Sequence, residues 1–256
     1  MDFKENPILG IVSHILAIYV ADKDDIKEAQ DCGCGCLYKE DDKTYILSVK
    51  HVTTIDPNKR IFIPSSKSAT GFKYLKKGFN FFELYKINDD GTLKPKIEGK
   101  GIDFVWSLKD NSETFKLYEW VDETKRRIRE LGEITPFTKL VSPTLDGKYF
   151  FGGTANQILN KAGKRFDGEF IFYECEYTQK CCDDKYYEFE VMQENNSELV
   201  DLSLLPGLSG TPIFDSEYNL VSLLVSGHPE GKVVYGINLN WALNMIHMQE
   251  EAEKYL

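Results

Sequence analysis

The feature that most constrains the fold is a series of short apolar or alternating segments, separated by turn signals, with few stretches of helical period. Turn residues recur at positions 40–43, 56–58 and 88–91. Between them the alternation of apolar and polar residues predicts strands at 15–20, 34–39, 44–49, 60–63, 80–87 and 102–108. Six strands with short connections predict an antiparallel β-barrel.

The second half of the chain repeats this pattern. Strands are predicted at 149–152, 169–177, 185–192, 211–215, 220–226 and 233–237, which indicates a second barrel. Trp241, Leu243, Ile246 and His247 then recur at helical spacing, so an amphipathic helix is predicted to close the chain. The expected fold class is all-β, with barrels over residues 1–119 and 137–238, a helix or linker over 120–136, and the helix over 239–256.

Composition limits the classes of function. The 256 residues are 42% hydrophobic and 28% charged, which is ordinary for a soluble globular protein. The formal net charge of −10 argues against nucleic acid and anionic membranes as partners. No apolar run approaches the roughly 18 residues of a membrane span, and the first residues do not resemble a signal peptide. We therefore expect a cytoplasmic protein, with secretion by an unusual route as the alternative.

Six cysteines raise the question of a metal site. They fall in two groups, Cys32, Cys34 and Cys36 in the first half and Cys175, Cys181 and Cys182 in the second. If the first group is a strand, its three thiols share one face and zinc is an option. No CxxC pair with a partner CxxC or histidine pair is present. The favoured interpretation is therefore reduced, partly buried thiols, with no metal and no cofactor.

One stretch carries a pattern typical of nucleophilic chemistry. Residues 206–212 read Pro-Gly-Leu-Ser-Gly-Thr-Pro and predict a tight turn that displays Ser209 between Gly207 and Gly210. Two glycines let the backbone approach a bound carbonyl and let successive N–H groups point at one spot. A serine is a poor nucleophile unless a base takes its proton.

His51 is the candidate base because it comes just after the predicted strand 44–49 and opens a short turn. Asp103 is the candidate orienting carboxylate, since it lies within an apolar strand where a lone aspartate is costly unless it is paired. His14 has no acidic neighbour in sequence, and His247 is expected on a helix face.

Three blocks resemble the chymotrypsin-like (trypsin-like) serine peptidases. Ser-Val-Lys-His51-Val resembles the block of the family's histidine, and Ile-Asp103-Phe-Val-Trp-Ser-Leu resembles its aspartate strand. Pro-Gly-Leu-Ser209-Gly-Thr-Pro resembles its Gly-x-Ser-Gly-x-Pro nucleophile block. The order His, Asp, Ser is also the order of this family, whereas α/β-hydrolases run Ser, Asp, His.

The resemblance implies two six-stranded barrels with a C-terminal helix, and a serine endopeptidase that works through an acyl-enzyme. By resemblance, His51, Asp103 and Ser209 form the triad, and the N–H groups of Gly207 and Ser209 form the oxyanion hole. Ser226 matches a family serine that hydrogen-bonds the aspartate from the second barrel. The alternatives are a silent binding module with the same fold and an esterase-like hydrolase with the same triad.

The chain departs from the secreted digestive members of the family and resembles intracellular bacterial and viral ones. Leu208 replaces the aspartate that pairs with a newly cut N-terminus in digestive enzymes, so no activation by N-terminal cleavage is expected. The specificity pocket implied by the resemblance has Ser203 at its base, which disfavours Lys or Arg, and Gly227 and His228 at its wall. His228 either favours an acidic residue before the cut or faces solvent. The expected partners are a protein or peptide substrate, with an activating protein as a further option.

Overall fold

A computed structural model describes residues 7–22, 31–53, 59–64, 72–75, 78–82, 85–87, 93–95, 102–115, 133–160, 165–182, 184–192, 207–228 and 232–255. The elements in chain order are α1 (Pro7–His14), β1 (Leu16–Asp22), β2 (Asp31–Glu40), β3 (Lys43–Ser48), α2 (Lys50–Thr53), β4 (Lys59–Pro64), β5 (Phe72–Tyr74), β6 (Asn80–Phe81), β7 (Tyr85–Ile87), β8 (Leu93–Pro95), β9 (Val105–Leu108), β10 (Lys148–Asn160), β11 (Arg165–Cys182), β12 (Tyr186–Val191), β13 (Pro212–Asp215), β14 (Leu220–His228), β15 (Val233–Asn238) and α3 (Leu239–Glu253).

The first half forms an antiparallel sheet in the order β5-β4-β1-β2-β3-β9-β6, and β7 pairs with β8 separately. The inner residues of β3 are buried on both faces of this sheet, and they enter different cores because successive side chains of a strand point to opposite faces. Along β3, Tyr45 and Leu47 join one hydrophobic cluster while Ile46 between them joins another. The sheet therefore covers its own core with one face and meets the rest of the molecule with the other.

The second half closes into an antiparallel barrel in the order β10-β11-β12-β15-β14-β13. Its interior is filled by side chains such as Phe151, Phe189, Ile213, Val221 and Val234, all fully buried. The opposite face of the same strands packs against the first sheet. Phe214, Leu223 and Ile237 share a hydrophobic cluster with Leu47, Phe104 and Trp106.

Helix α3 completes the core between the two sheets. Asn238 caps it, since its side-chain oxygen accepts the N–H of Trp241 at 3.2 Å. Four residues at helical spacing are buried against both sheets, namely Leu239, Ala242, Leu243 and Ile246. The predicted C-terminal helix is therefore confirmed.

The predicted fold class is confirmed: the chain is all-β, with two antiparallel β-sheet bodies and a C-terminal helix. Over the described residues only the second body is a closed barrel, whereas the first is a half-barrel whose order runs from β5 to β6. Helix α1 was not predicted. Most of the predicted segment 120–136 lies outside the described residues, so the domain boundaries stay a prediction. Within the described ranges no helix is long and apolar enough to cross a membrane.

Candidate active site

The register of β3 and β9 brings His51 and Asp103 together. These strands pair antiparallel, with Ser48 opposite Val105. His51 follows the end of β3 on the short helix α2, and Asp103 precedes the start of β9. In an antiparallel pair the end of one strand lies beside the start of the next. Two residues 52 positions apart are thus placed side by side.

The aspartate holds the histidine at two points. The Nδ1 atom of His51 lies 2.5 Å from Oδ2 of Asp103, and the backbone N–H of His51 donates to Oδ1 at 2.9 Å. A carboxylate accepts only, so the imidazole proton belongs on Nδ1 and the lone pair on Nε2. Nε2 has no hydrogen-bond partner among the described residues, and the His51 side chain is 48% exposed. The ring therefore presents a basic nitrogen that is open to a reactant.

Asp103 is anchored by its neighbours in sequence. Ile102 and Phe104 are buried at 2% and 0% exposure and fix the backbone on either side. The carboxylate itself is less buried, with 24% of its side chain exposed. Apolar anchors on both sides of a paired carboxylate hold it in place without leaving an unpaired charge in the core.

The second barrel contacts the aspartate through a tyrosine. The hydroxyl of Tyr186, the first residue of β12, accepts the backbone N–H of Asp103 at 3.3 Å. Burial raises the pKa of Tyr186 above its usual value, so the hydroxyl stays neutral. Tyr186 could not be identified from the sequence, because a tyrosine beside a hairpin turn gives no signal of a partner 83 positions away.

Ser226 was expected to make the contact from the second barrel. It lies on β14 opposite Tyr235, just after a register shift, and it is exposed. Among the described residues no hydrogen bond joins its hydroxyl to Asp103, and the contact seen from the second barrel is the one of Tyr186 with the backbone N–H of Asp103. The role of Ser226 stays a prediction.

We expect Tyr186→Phe to lower kcat/KM about three- to fivefold. The change leaves the N–H of Asp103 without its acceptor, and a net hydrogen bond of this kind is worth about 1 kcal/mol. Peptide hydrolysis measures the loss. Tyr187→Phe is the matched control, because its ring lies in the barrel interior on the same strand. Equal activity of Tyr186→Phe and the wild type would contradict a positioning role for this hydroxyl.

Residues 207–210, called the serine turn below, display Ser209 between two glycines that the backbone requires. Gly207 and Gly210 have φ angles of 95° and 85°, which side chains with a Cβ rarely adopt. Leu208 is fully buried and packs towards Gly153, whereas Ser209 is half-buried. The N–H of Thr211 donates to the carbonyl of Leu208 at 2.9 Å and closes the turn.

The serine turn docks on the first sheet through Cys34 of β2. The N–H of Cys34 on β2 donates to the carbonyl of Ser209 at 2.8 Å. The hydroxyl of Ser48 donates to the carbonyl of Cys34 at 2.7 Å. Ser48 ends β3, three residues before His51. The turn with the candidate nucleophile and the end of the strand that leads to the candidate base are therefore joined through one residue of β2.

Several backbone N–H groups of the serine turn lack an acceptor in the part of the chain that the structure describes. The N–H of Gly210 is used, since it donates to the carbonyl of Leu224 at 2.7 Å. Within the described residues, the N–H groups of Gly207, Leu208 and Ser209 have no acceptor. Successive N–H groups at such a turn form a concave site for negative charge. This arrangement is chemically suited to hold an oxyanion.

The other predicted pocket residues are only partly described. Gly227 and His228 lie at the end of β14, paired with Val234 and Val233, and His228 is exposed. Ser203 lies outside the described residues. The pocket stays a prediction.

The remaining histidines lie elsewhere in the fold. The Nδ1 atom of His14 is 2.7 Å from the carbonyl of Thr135, and its ring stacks on Phe137. Nε2 of His247 is 2.6 Å from Oε2 of Glu40. Both histidines are thus held by contacts away from the serine turn.

The cysteines of the described region do not form a metal site. Cys34, Cys36 and Cys175 are free and buried. Burial raises the pKa of each thiol well above its usual value, so none of them is a ready thiolate. Among the described residues no three His, Cys, Asp or Glu side chains could hold a metal ion.

Comparisons with known proteins give structural similarity alone. No family model and no curated protein matches the chain. Tobacco vein mottling virus protease is similar at 13% identity and a TM-score of 0.44, over 93% of this chain and 80% of that one. Catalytically active tobacco etch virus protease complexed with product is similar at 11% identity and a TM-score of 0.46, over 90% of this chain and 74% of that one. The inactive form of a serine-to-alanine mutant of Rv3671c from M. tuberculosis H37Rv is similar at 9% identity and a TM-score of 0.46, over 95% of this chain and 89% of that one. Because all three TM-scores lie below 0.5, they carry no argument about function.

Proposed function

We propose that this chain is a serine endopeptidase that cleaves peptide bonds through His51, Asp103 and Ser209. The observation that supports the proposal is the docking of the serine turn on the first sheet. The N–H of Cys34 donates to the carbonyl of Ser209, and the carbonyl of Cys34 accepts the hydroxyl of Ser48, three residues before the imidazole that Asp103 holds. A base, its orienting group and a nucleophile are the elements of acyl transfer.

In the proposed reaction, Oγ of Ser209 attacks the scissile carbonyl carbon while Nε2 of His51 takes the hydroxyl proton. The N–H groups of Gly207 and Ser209 hold the oxyanion that forms. Collapse of this intermediate breaks the C–N bond, and His51 gives its proton to the leaving amine. Water, deprotonated by His51, then hydrolyses the acyl-enzyme and restores the Ser209 hydroxyl. Asp103 keeps the proton on Nδ1 and stabilises the imidazolium throughout.

The choice of serine over cysteine as the nucleophile has support from the thiols. Three of the six cysteines, Cys34, Cys36 and Cys175, are buried and stay protonated because burial raises the pKa of each one. Free buried thiols also fit a reducing compartment, which supports a cytoplasmic location.

A silent binding module is the second candidate, and one observation favours it. Among the described residues, His51 Nε2 and the Ser209 hydroxyl make no hydrogen bond to each other. An endopeptidase at rest fits the same observation, because catalytic hydrogen bonds are often long without substrate and tighten when it binds. An activating protein that completes the site is the partner expected for such an endopeptidase.

Digestion of a peptide library separates these functions. We expect internal cleavage by the wild type and none by Ser209→Ala, in the presence or absence of a thiol-alkylating reagent. Cuts after hydrophobic residues and never after Asp or Glu would exclude an acidic preference set by His228. A folded wild type that cleaves no peptide, alone or in host lysate, would contradict the endopeptidase and leave the binding module.

A further inference from the structure

We infer that the thiol of Cys34 is a positioning residue that holds the serine turn in its working conformation. This inference rests on the proposed function, in which the N–H groups of that turn bind the oxyanion. The Cys34 thiol donates to the carbonyl of Gly207 at 3.3 Å, from the first sheet to a turn of the second. The contact uses a side chain that the catalytic roles above leave without a function.

Cys34 meets the serine turn with its side chain and its backbone together. Its N–H donates to the carbonyl of Ser209, and its Sγ–H donates to the carbonyl of Gly207. Its own carbonyl accepts the Ser48 hydroxyl at 2.7 Å. One residue of β2 thus fixes two carbonyls of the turn and is itself fixed to β3, three residues from His51.

Gly207 needs a contact from outside the turn to fix its conformation, because the backbone of a glycine is flexible. Glycine has wide freedom in both φ and ψ, and Gly207 sits at a φ of 95°. A hydrogen bond to its carbonyl fixes the peptide plane that joins Gly207 to Leu208, because that plane is rigid. With this plane fixed, the two neighbouring peptide planes, which contain the N–H groups of Gly207 and Ser209, keep their orientation.

The chemistry of the thiol suits a permanent donor. Cys34 is 1% exposed, and burial raises the pKa of the thiol well above its usual value. It therefore stays protonated and offers an S–H to the carbonyl, which a thiolate could not do. Gly153 on β10 is a further neighbour of the sulfur, since a Cβ there would lie 3.5 Å from it.

Three variants separate positioning from packing. Cys34→Ala removes the donor, Cys34→Ser keeps one, and Cys36→Ala is the matched control. Cys36 is equally buried two residues along β2, but it packs in the hydrophobic core between the sheets and away from the turn. We expect Cys34→Ala to lower kcat about tenfold with KM changed less than twofold. Cys34→Ser should recover most of the loss, and Cys36→Ala should keep the wild-type kcat at a comparable loss of stability.

Amide hydrogen exchange tests the same inference by a measurement that does not depend on enzymatic activity. The N–H of Thr211 is bonded to Leu208 within the turn, and the N–H of Gly210 is bonded to Leu224 on β14. We expect Cys34→Ala to speed the exchange of both at least tenfold and Cys36→Ala to leave it unchanged. Equal kcat and equal exchange in the two alanine variants would overturn the inference. A wild type without activity would contradict the proposed function alone, and the exchange measurement would still decide the role of Cys34.

Discussion

Replacing Asp103 with asparagine is expected to lower kcat/KM about 10⁴-fold without unfolding the protein. The backbone N–H of His51 donates to Oδ1 of Asp103, and an asparagine keeps this bond only through its amide oxygen. Its NH₂ group then faces Nδ1, which lies 2.5 Å from Oδ2 in the native pair. A donor at that point forces the imidazole proton onto Nε2 and removes the base.

Steady-state hydrolysis of a peptide substrate measures this effect. Asp146→Asn is the matched control, since Asp146 is an exposed carboxylate in the turn before β10. Circular dichroism should show the same fold for both variants and the wild type. Activity of Asp103→Asn within tenfold of the wild type would contradict the role of Asp103 in setting the tautomer.

Replacing Gly210 with alanine is expected to detach the serine turn from β2. A Cβ at this position would lie 2.0 Å from the carbonyl oxygen of Cys34 and 2.9 Å from the Ser48 hydroxyl. The first neighbour is backbone within a paired strand, so the turn must move rather than the strand. Gly210 also has a left-handed φ of 85°, which is strained for a residue with a Cβ. From the clash and this strain together, we expect Gly210→Ala to lower the free energy of unfolding by about 3 kcal/mol. Turnover should fall more than 100-fold, because the donors of Ser209 and Gly207 move together.

Gly78→Ala is the matched control for this prediction. Gly78 also has a positive φ, 65°, but a Cβ there meets nothing within 4 Å. Gly78→Ala should therefore lower the free energy of unfolding only by the backbone strain, about 1 kcal/mol, and leave the activity unchanged. Urea denaturation gives both free energies. Equal stability and equal activity of the two variants would show that the serine turn does not depend on its close approach to Cys34.

The architecture was largely predictable because short strands carry their signal locally. The alternation at residues 44–49 predicts β3, and the apolar residues around Asp103 predict the strand β9. The strands of the second barrel were predicted in the right places, but β10 and β11 are longer than expected. Gly152 looked like a strand end, whereas a Cβ there would lie 2.6 Å from the carbonyl of Ile171. This glycine serves close strand pairing, not a turn.

The pairing of His51 with Asp103 could be expected from the sequence, whereas the contacts between the sheets could not. His51 was singled out by its position just after a predicted strand and Asp103 by its position within one, and the structure joins them through the register of β3 and β9. Tyr186 and Cys34 were missed as partners of the site because their contacts cross from one sheet to the other. Such contacts depend on how two folded bodies pack, and no local pattern in the chain encodes that packing.

Labelling with a fluorophosphonate probe shows whether Ser209 is an activated nucleophile, because the probe reacts only with a serine that a base activates. Wild type, Ser209→Ala and His51→Ala are compared, and the modified peptide is located by mass spectrometry. We expect labelling of the wild type at Ser209 and none of either variant. Labelling of another residue, labelling that survives His51→Ala, or a folded wild type that stays unlabelled even in host lysate would contradict this expectation.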